Sequence, residues 1–94
     1  MDEQQFKYRT KAVALRVIRV IQALPRNDIG TTIGRQLLRS GTAVGANYRA
    51  ACRGKSPADV VLKLGYVEEE ADESVYWMEL LIDSKTIPNR DLTV

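Results

Sequence analysis

Arg35, Arg39, Arg49 and Arg53 recur at intervals of four, ten and four residues. On a helix, at about 100° per residue, Arg53 returns to the direction of Arg35, with Arg39 and Arg49 about 40° to either side. The four would form a ridge about 27 Å long at 1.5 Å per residue. Thr42 and Ala46 fill the space between them, and Lys55 extends the ridge. A guanidinium offers a planar fork of donors that suits phosphate oxygens, and binding by such a ridge would weaken steeply with salt. No aromatic residue falls within the ridge to stack on bases, so sequence-specific reading of a single strand is not indicated. The same arginines would serve equally as ion-pair partners of an acidic helix or of a neighbouring subunit.

Other chemistry is thinly represented. The chain has no histidine and a single cysteine, Cys52, which suits a small packing residue better than a reactive thiol and excludes an internal disulfide. Without histidine, general-base work would fall to a carboxylate, lysine or tyrosine, and none sits in a recognisable motif. Glu68, Glu69, Glu70, Asp72 and Glu73 could hold a metal only by converging. On a helix Glu68 and Asp72 share one side and Glu69 and Glu73 another, and the Glu-x-x-His pairs of a ferritin-like di-metal site are absent. The expectation is a protein that is no enzyme and uses no metal or cofactor. Glu68 and Asp72 are expected to pair with Arg or Lys from another helix.

The elements that would position these residues follow from composition and spacing. Hydrophobic content of 45%, with three prolines and six glycines in 94 residues, favours long uninterrupted helices in one domain spanning 1–94. Through Lys55 there are eleven Lys/Arg against three Asp/Glu, and from Ser56 onward three against nine. A chain divided in this way can pair its halves or present the basic half to an acidic partner. The start, MDEQQF, is too polar for a signal peptide, and the apolar runs are too short for a bilayer. A cytoplasmic protein without a membrane partner is expected.

The first helix is expected over about 4–24, with Phe6, Ala14, Val17, Ile18, Ile21 and Leu24 at helical spacing and Arg9, Arg16 and Arg19 opposite. Pro25 ends it, and Asn27 or Asp28 caps the second helix, about 29–53. There Ile33, Leu37, Val44, Tyr48 and Ala51 make a narrow core face. Gly34, Gly41, Gly45 and Cys52 form a neighbouring strip, which suits close approach of another helix; the competing reading is a break at SGTAVG. Gly54 terminates, and Ser56-Pro57-Ala58-Asp59 starts the third helix, about 57–84. Its core face is expected to be Val60, Val61, Leu64, Val67, Ala71, Val75, Met78 and Ile82. Leu62, Tyr66, Trp77 and Leu80 then lie outside, and with Gly34, Gly41 and Gly45 they are expected to form an oligomer interface. Residues 87–90 suggest a turn. The result is an all-α antiparallel up-down bundle with three helices present and the fourth missing or truncated. Its remaining cover would come from a tail, a neighbouring chain or a partner.

The stretches SGTAVGANYRAA, RGKS and VEEEADESVYW resemble a bacterial family of four-helix-bundle proteins. That family is named for the intervening sequences of 23S ribosomal RNA genes and is also labelled as S23 ribosomal protein-like. The match is dense over about half the chain; the first helix and the tail agree only in pattern. The resemblance implies a four-helix bundle assembling into a ring, a homopentamer. It also implies kinship with the accessory variability protein of diversity-generating retroelements, a basic pentameric barrel thought to bind nucleic acid and a reverse transcriptase. The family normally continues into a fourth helix, whereas this sequence stops at Val94. The expected function is that of a non-enzymatic homo-oligomer binding RNA or DNA through Arg35, Arg39, Arg49, Arg53 and Lys55. The alternative is a scaffold that recruits another protein without binding nucleic acid.

Overall fold

The structure, a computed structural model, describes residues 2–87. Three helices follow in order: α1 (Glu3–Ala23), α2 (Asp28–Cys52) and α3 (Pro57–Asp83), with no strand among the described residues. Each start is fixed by a side chain that satisfies an otherwise orphaned backbone N–H. Asp2 and Gln5 form a reciprocal capping box, Asn27 accepts from the Gly30 N–H at 2.8 Å, and Ser56 accepts from Asp59 at 3.1 Å with Pro57 in the first turn. The part of the expected turn beyond Ile87 lies outside the described residues.

The helix runs unbroken through Ser40–Gly45, so the sequence SGTAVG is not a loop. The glycines there serve a close approach. A Cβ on Gly41 would stand 2.8 Å from Cγ2 of Val17, one on Gly45 would stand 3.1 Å from Oγ1 of Thr10, and Gly34 faces Leu24 in the same way. The approaching helix is therefore α1 of the same chain. This corrects the assignment of Gly34, Gly41 and Gly45 to an oligomer interface, because α1 already covers them.

α2 packs against both neighbours, while α1 and α3 barely meet. Val17, Val20, Leu37, Leu81 and Ile87 form the buried core, with Ile21, Leu24, Ile33, Trp77 and Met78 packed on it. At the opposite end Phe6 and Tyr48 meet edge to face, ring centroids 4.4 Å apart, a geometry that aligns the positive edge of one ring with the negative face of the other.

α3 is rotated away from the expected core face. Val61 (69% exposed), Leu64 (42%) and Val75 (54%) point outward, Ala71 is exposed, and Trp77, expected outside, packs on the core. The buried residues of α3 are Ser74 and Leu81. The reason is polar complementarity: Ser74 Oγ donates to Ser40 Oγ at 2.8 Å inside the α2–α3 contact, and Glu70 and Glu73 reach Arg39. α3 has two apolar stripes, so apolar spacing alone cannot choose between them. A buried hydroxyl without a partner would cost about 1–3 kcal/mol, so the Ser40–Ser74 pair favours this rotation, and the exposed contacts of Arg39 accord with it.

Two glycines give opposite expected outcomes in thermal denaturation followed by circular dichroism. The Cβ position of Gly65 has no atom within 4 Å, so Gly65→Ala should stabilise by about 0.5–1 kcal/mol through helix propensity. Gly41→Leu should destabilise by about 1–3 kcal/mol by forcing α1 off α2. Equal melting temperatures for the two variants would contradict the packing described.

Candidate nucleic-acid interface

Of the four expected ridge arginines, Arg39 is already committed. Its Nη1 donates to both Glu70 carboxylate oxygens at 3.0 and 3.2 Å, its Nη2 donates to Glu73, and its Nε donates to Gln36 at 3.3 Å. These bonds to Glu70 and Glu73 raise the guanidinium further above its ordinary pKa. Glu73 is held below the usual carboxylate range, first by the Trp77 indole N–H at 3.0 Å and then by Arg39. The ridge thus loses one member to the α2–α3 contact. Lys55 is exposed in the turn before α3, where its backbone N–H donates to Asp59 at 3.0 Å.

Arg35, Arg49 and Arg53 remain exposed on α2, and α1 adds to them. The glycine contact draws α1 close and leaves a shallow seam along the outer side of the α1–α2 pair. A hollow of about 470 Å³ at the N-terminal end of α1 is lined by Gln4, Lys7, Tyr8, Lys11, Arg49 and Arg53. The next hollow shares Lys11 and Arg49 and is floored by Ala14, Gly45 and Ala46. At the α1–α2 turn a third gathers Arg26 and Arg35. Among the described residues no carboxylate lines any of the three. Lys7 is partly neutralised by Glu3 at 3.0 Å, whereas Lys11, Arg35, Arg49 and Arg53 take part in no ion pair among the described residues.

Lys11 and Tyr8 escape a reading of the arginine pattern because they belong to another helix. The signal that could have found them is the hairpin itself. Antiparallel packing sets the start of α1 beside the end of α2, and Tyr8 and Lys11 are three apart on one side of α1. Hence an aromatic ring does stand beside the cations, contrary to the expectation drawn from the ridge alone.

The residues expected at an oligomer interface on α3 separate. Leu62 and Tyr66 are exposed, Leu80 is half-buried, and Trp77 is turned inward as described. Cys52 is half-buried and adjoins Tyr48, whose hydroxyl is pushed above its ordinary pKa chiefly by burial and then by Cys52. Among the described residues no group of three or more His, Cys, Asp or Glu could hold a metal ion, and no helix is long and apolar enough to cross a membrane.

Fold and site together define a small all-α protein whose first two helices form a cationic hairpin. The chain belongs to the 23S rRNA-intervening sequence protein family, whose model matches residues 3–93. It is similar to the crystal structure of a protein of unknown function from the S23 ribosomal protein family of Bacteroides thetaiotaomicron. The two share 34% sequence identity and a TM-score of 0.87, over 96% of this chain and 80% of that one. No curated protein matches the chain.

The carboxylates of Glu73, Asp59 and Glu3 all sit below their ordinary values, held by Trp77, Lys63 and Lys7 respectively as the first cause. The unfolded chain therefore binds more protons in acid, and the stabilisation, complete above the ordinary values, fades as pH falls through the lowered ones. Urea midpoints should hold steady near neutrality and fall below about pH 4.5. Arg39→Gln should lower the midpoint at pH 7 and make the acid fall shallower; an unchanged acid limb would rule out the Arg39–Glu73 contact as its source.

Proposed function

We propose that this protein is a non-enzymatic nucleic-acid-binding protein that holds the phosphate backbone of RNA or DNA along the α1–α2 seam. The observation that carries this reading is the convergence of Lys11, Arg49 and Arg53 on one hollow without a carboxylate in its lining. Cations that a fold does not pair internally keep their attraction for a polyanion, and binding releases the counterions condensed on it. Arg35 and Arg26 continue the same sign of charge to the far end of the seam.

A second reading concerns assembly. Val61, Leu64 and Val75 leave an apolar stripe of α3 exposed, and exposed apolar surface of this kind on a small domain favours a second chain. A homo-oligomer joined through α3, of which a ring of five is one closed form, would leave the seam free. Recruitment of another protein there is the alternative use of the same surface.

Fluorescence anisotropy with labelled RNA and DNA across a salt series tests the first reading. Lys11→Gln, Arg49→Gln and Arg53→Gln should each weaken binding and flatten the salt slope by about one contact's worth, about 0.7–0.9 in the log–log plot. Arg39→Gln should leave that slope unchanged. Absence of binding even at low salt would reject the reading. For assembly, sedimentation equilibrium should show the wild type as an oligomer and a Val61→Glu, Val75→Glu variant as a folded monomer. A monomeric wild type would reject association through α3.

A further inference from the structure

We infer that the seam takes single-stranded rather than duplex nucleic acid, with one base stacked on Tyr8; this rests on the phosphate-binding reading above. Tyr8 is 75% exposed, although a tyrosine ring gains from burying its faces. It is also absent from both aromatic pairs of the described residues, Phe6–Tyr48 and Tyr76–Trp77. The ring stands between two hollows. One is the cationic hollow that holds Lys11, Arg49 and Arg53. The other, about 370 Å³, is lined by Gln4, Gln5, Tyr8 and Arg9.

A nucleotide offers a flat base and an anionic phosphate, and this corner supplies a partner for each. The ring stacks the base, Lys11, Arg49 and Arg53 hold phosphates on one side, and Arg9 lies on the other. Gln4 lines both hollows, and its amide, a donor and an acceptor together, can meet the edge of a base. A duplex keeps its bases stacked on one another and presents only phosphates to a shallow surface. An unpaired base can leave its neighbours and lie on Tyr8. Stacking of this kind is sequence-tolerant because every base has a π-face.

The test uses labelled oligouridylate, oligothymidylate and a duplex with the same number of phosphates, each titrated with the full chain at several salt concentrations. Circular dichroism checks that each variant is folded. The single strands should bind more tightly than the duplex. Tyr8→Ala should weaken single-strand binding by about 5- to 150-fold, the range for loss of one base–aromatic stack, while Tyr8→Phe retains it. Duplex binding should not respond to either change, whereas Arg49→Gln should weaken both ligands. If Tyr8→Ala leaves single-strand affinity unchanged, or weakens both ligands equally, while Arg49→Gln still acts, the stacking inference is overturned and the phosphate reading stands. If no ligand binds at low salt, both fall.

Discussion

The contact between α1 and α2 is the constraint on which the rest of the molecule depends. Val17 lies where a side chain on Gly41 would be, and Thr10 where one on Gly45 would be. Placing glycines inside a helix costs about 0.5–1 kcal/mol per residue relative to alanine. The return is that two helix backbones approach closely enough for α1 to bury Val17 and Val20 against α2 and the end of α3. The same closeness makes the seam shallow, with Ala14 and Ala46 as its floor. Cationic side chains from both rims then reach one surface. A wider separation would put Lys11 and Arg49 on separate faces.

The α2–α3 contact works by different chemistry. A hydroxyl pair, Ser40 and Ser74, sits inside it, and Arg39 clamps Glu70 and Glu73 at its edge. Polar groups of this kind contribute modestly to net stability but penalise wrong registers heavily, since each misplacement leaves a desolvated group unpaired. They favour turning inward the face of α3 that carries Ser74, Trp77 and Leu81. Val61, Leu64 and Val75 on one side of that face, and Leu62 and Tyr66 on the other, are left facing outward.

The uneven distribution of charge along the chain is resolved by this arrangement in an asymmetric way. Among the described residues, α3 draws only Arg39 from the basic half into an ion pair, and Lys63 pairs within α3 with Asp59. Glu68, Glu69 and Asp72 stay exposed on α3, away from the hollows of the seam. The molecule therefore carries a cationic α1–α2 surface and an acidic third helix. Opposite charges kept apart in this way orient a polyanion toward one face and repel it from the other.

Much of the architecture was legible from local rules. Asn27 and Ser56 announce helix starts, Pro25 and Gly54 announce ends, and the observed helices lie within about one residue of the expected ranges, inside the usual margin of assignment. The stretches SGTAVGANYRAA and VEEEADESVYW likewise carried the family, which the matched model and the similar crystal structure bear out. Capping, chain breaking and helical period act over a few residues, so the sequence alone determines them. Three things required the tertiary structure: that the glycine strip faces α1 of the same chain, that Trp77 turns inward while Val61 turns out, and that Tyr8 and Lys11 join Arg49 and Arg53. Each depends on the rotation and register of one helix against another. Those are set by close packing and by pairing of polar groups far apart in the chain, as Ser40 is from Ser74, and no local period encodes them.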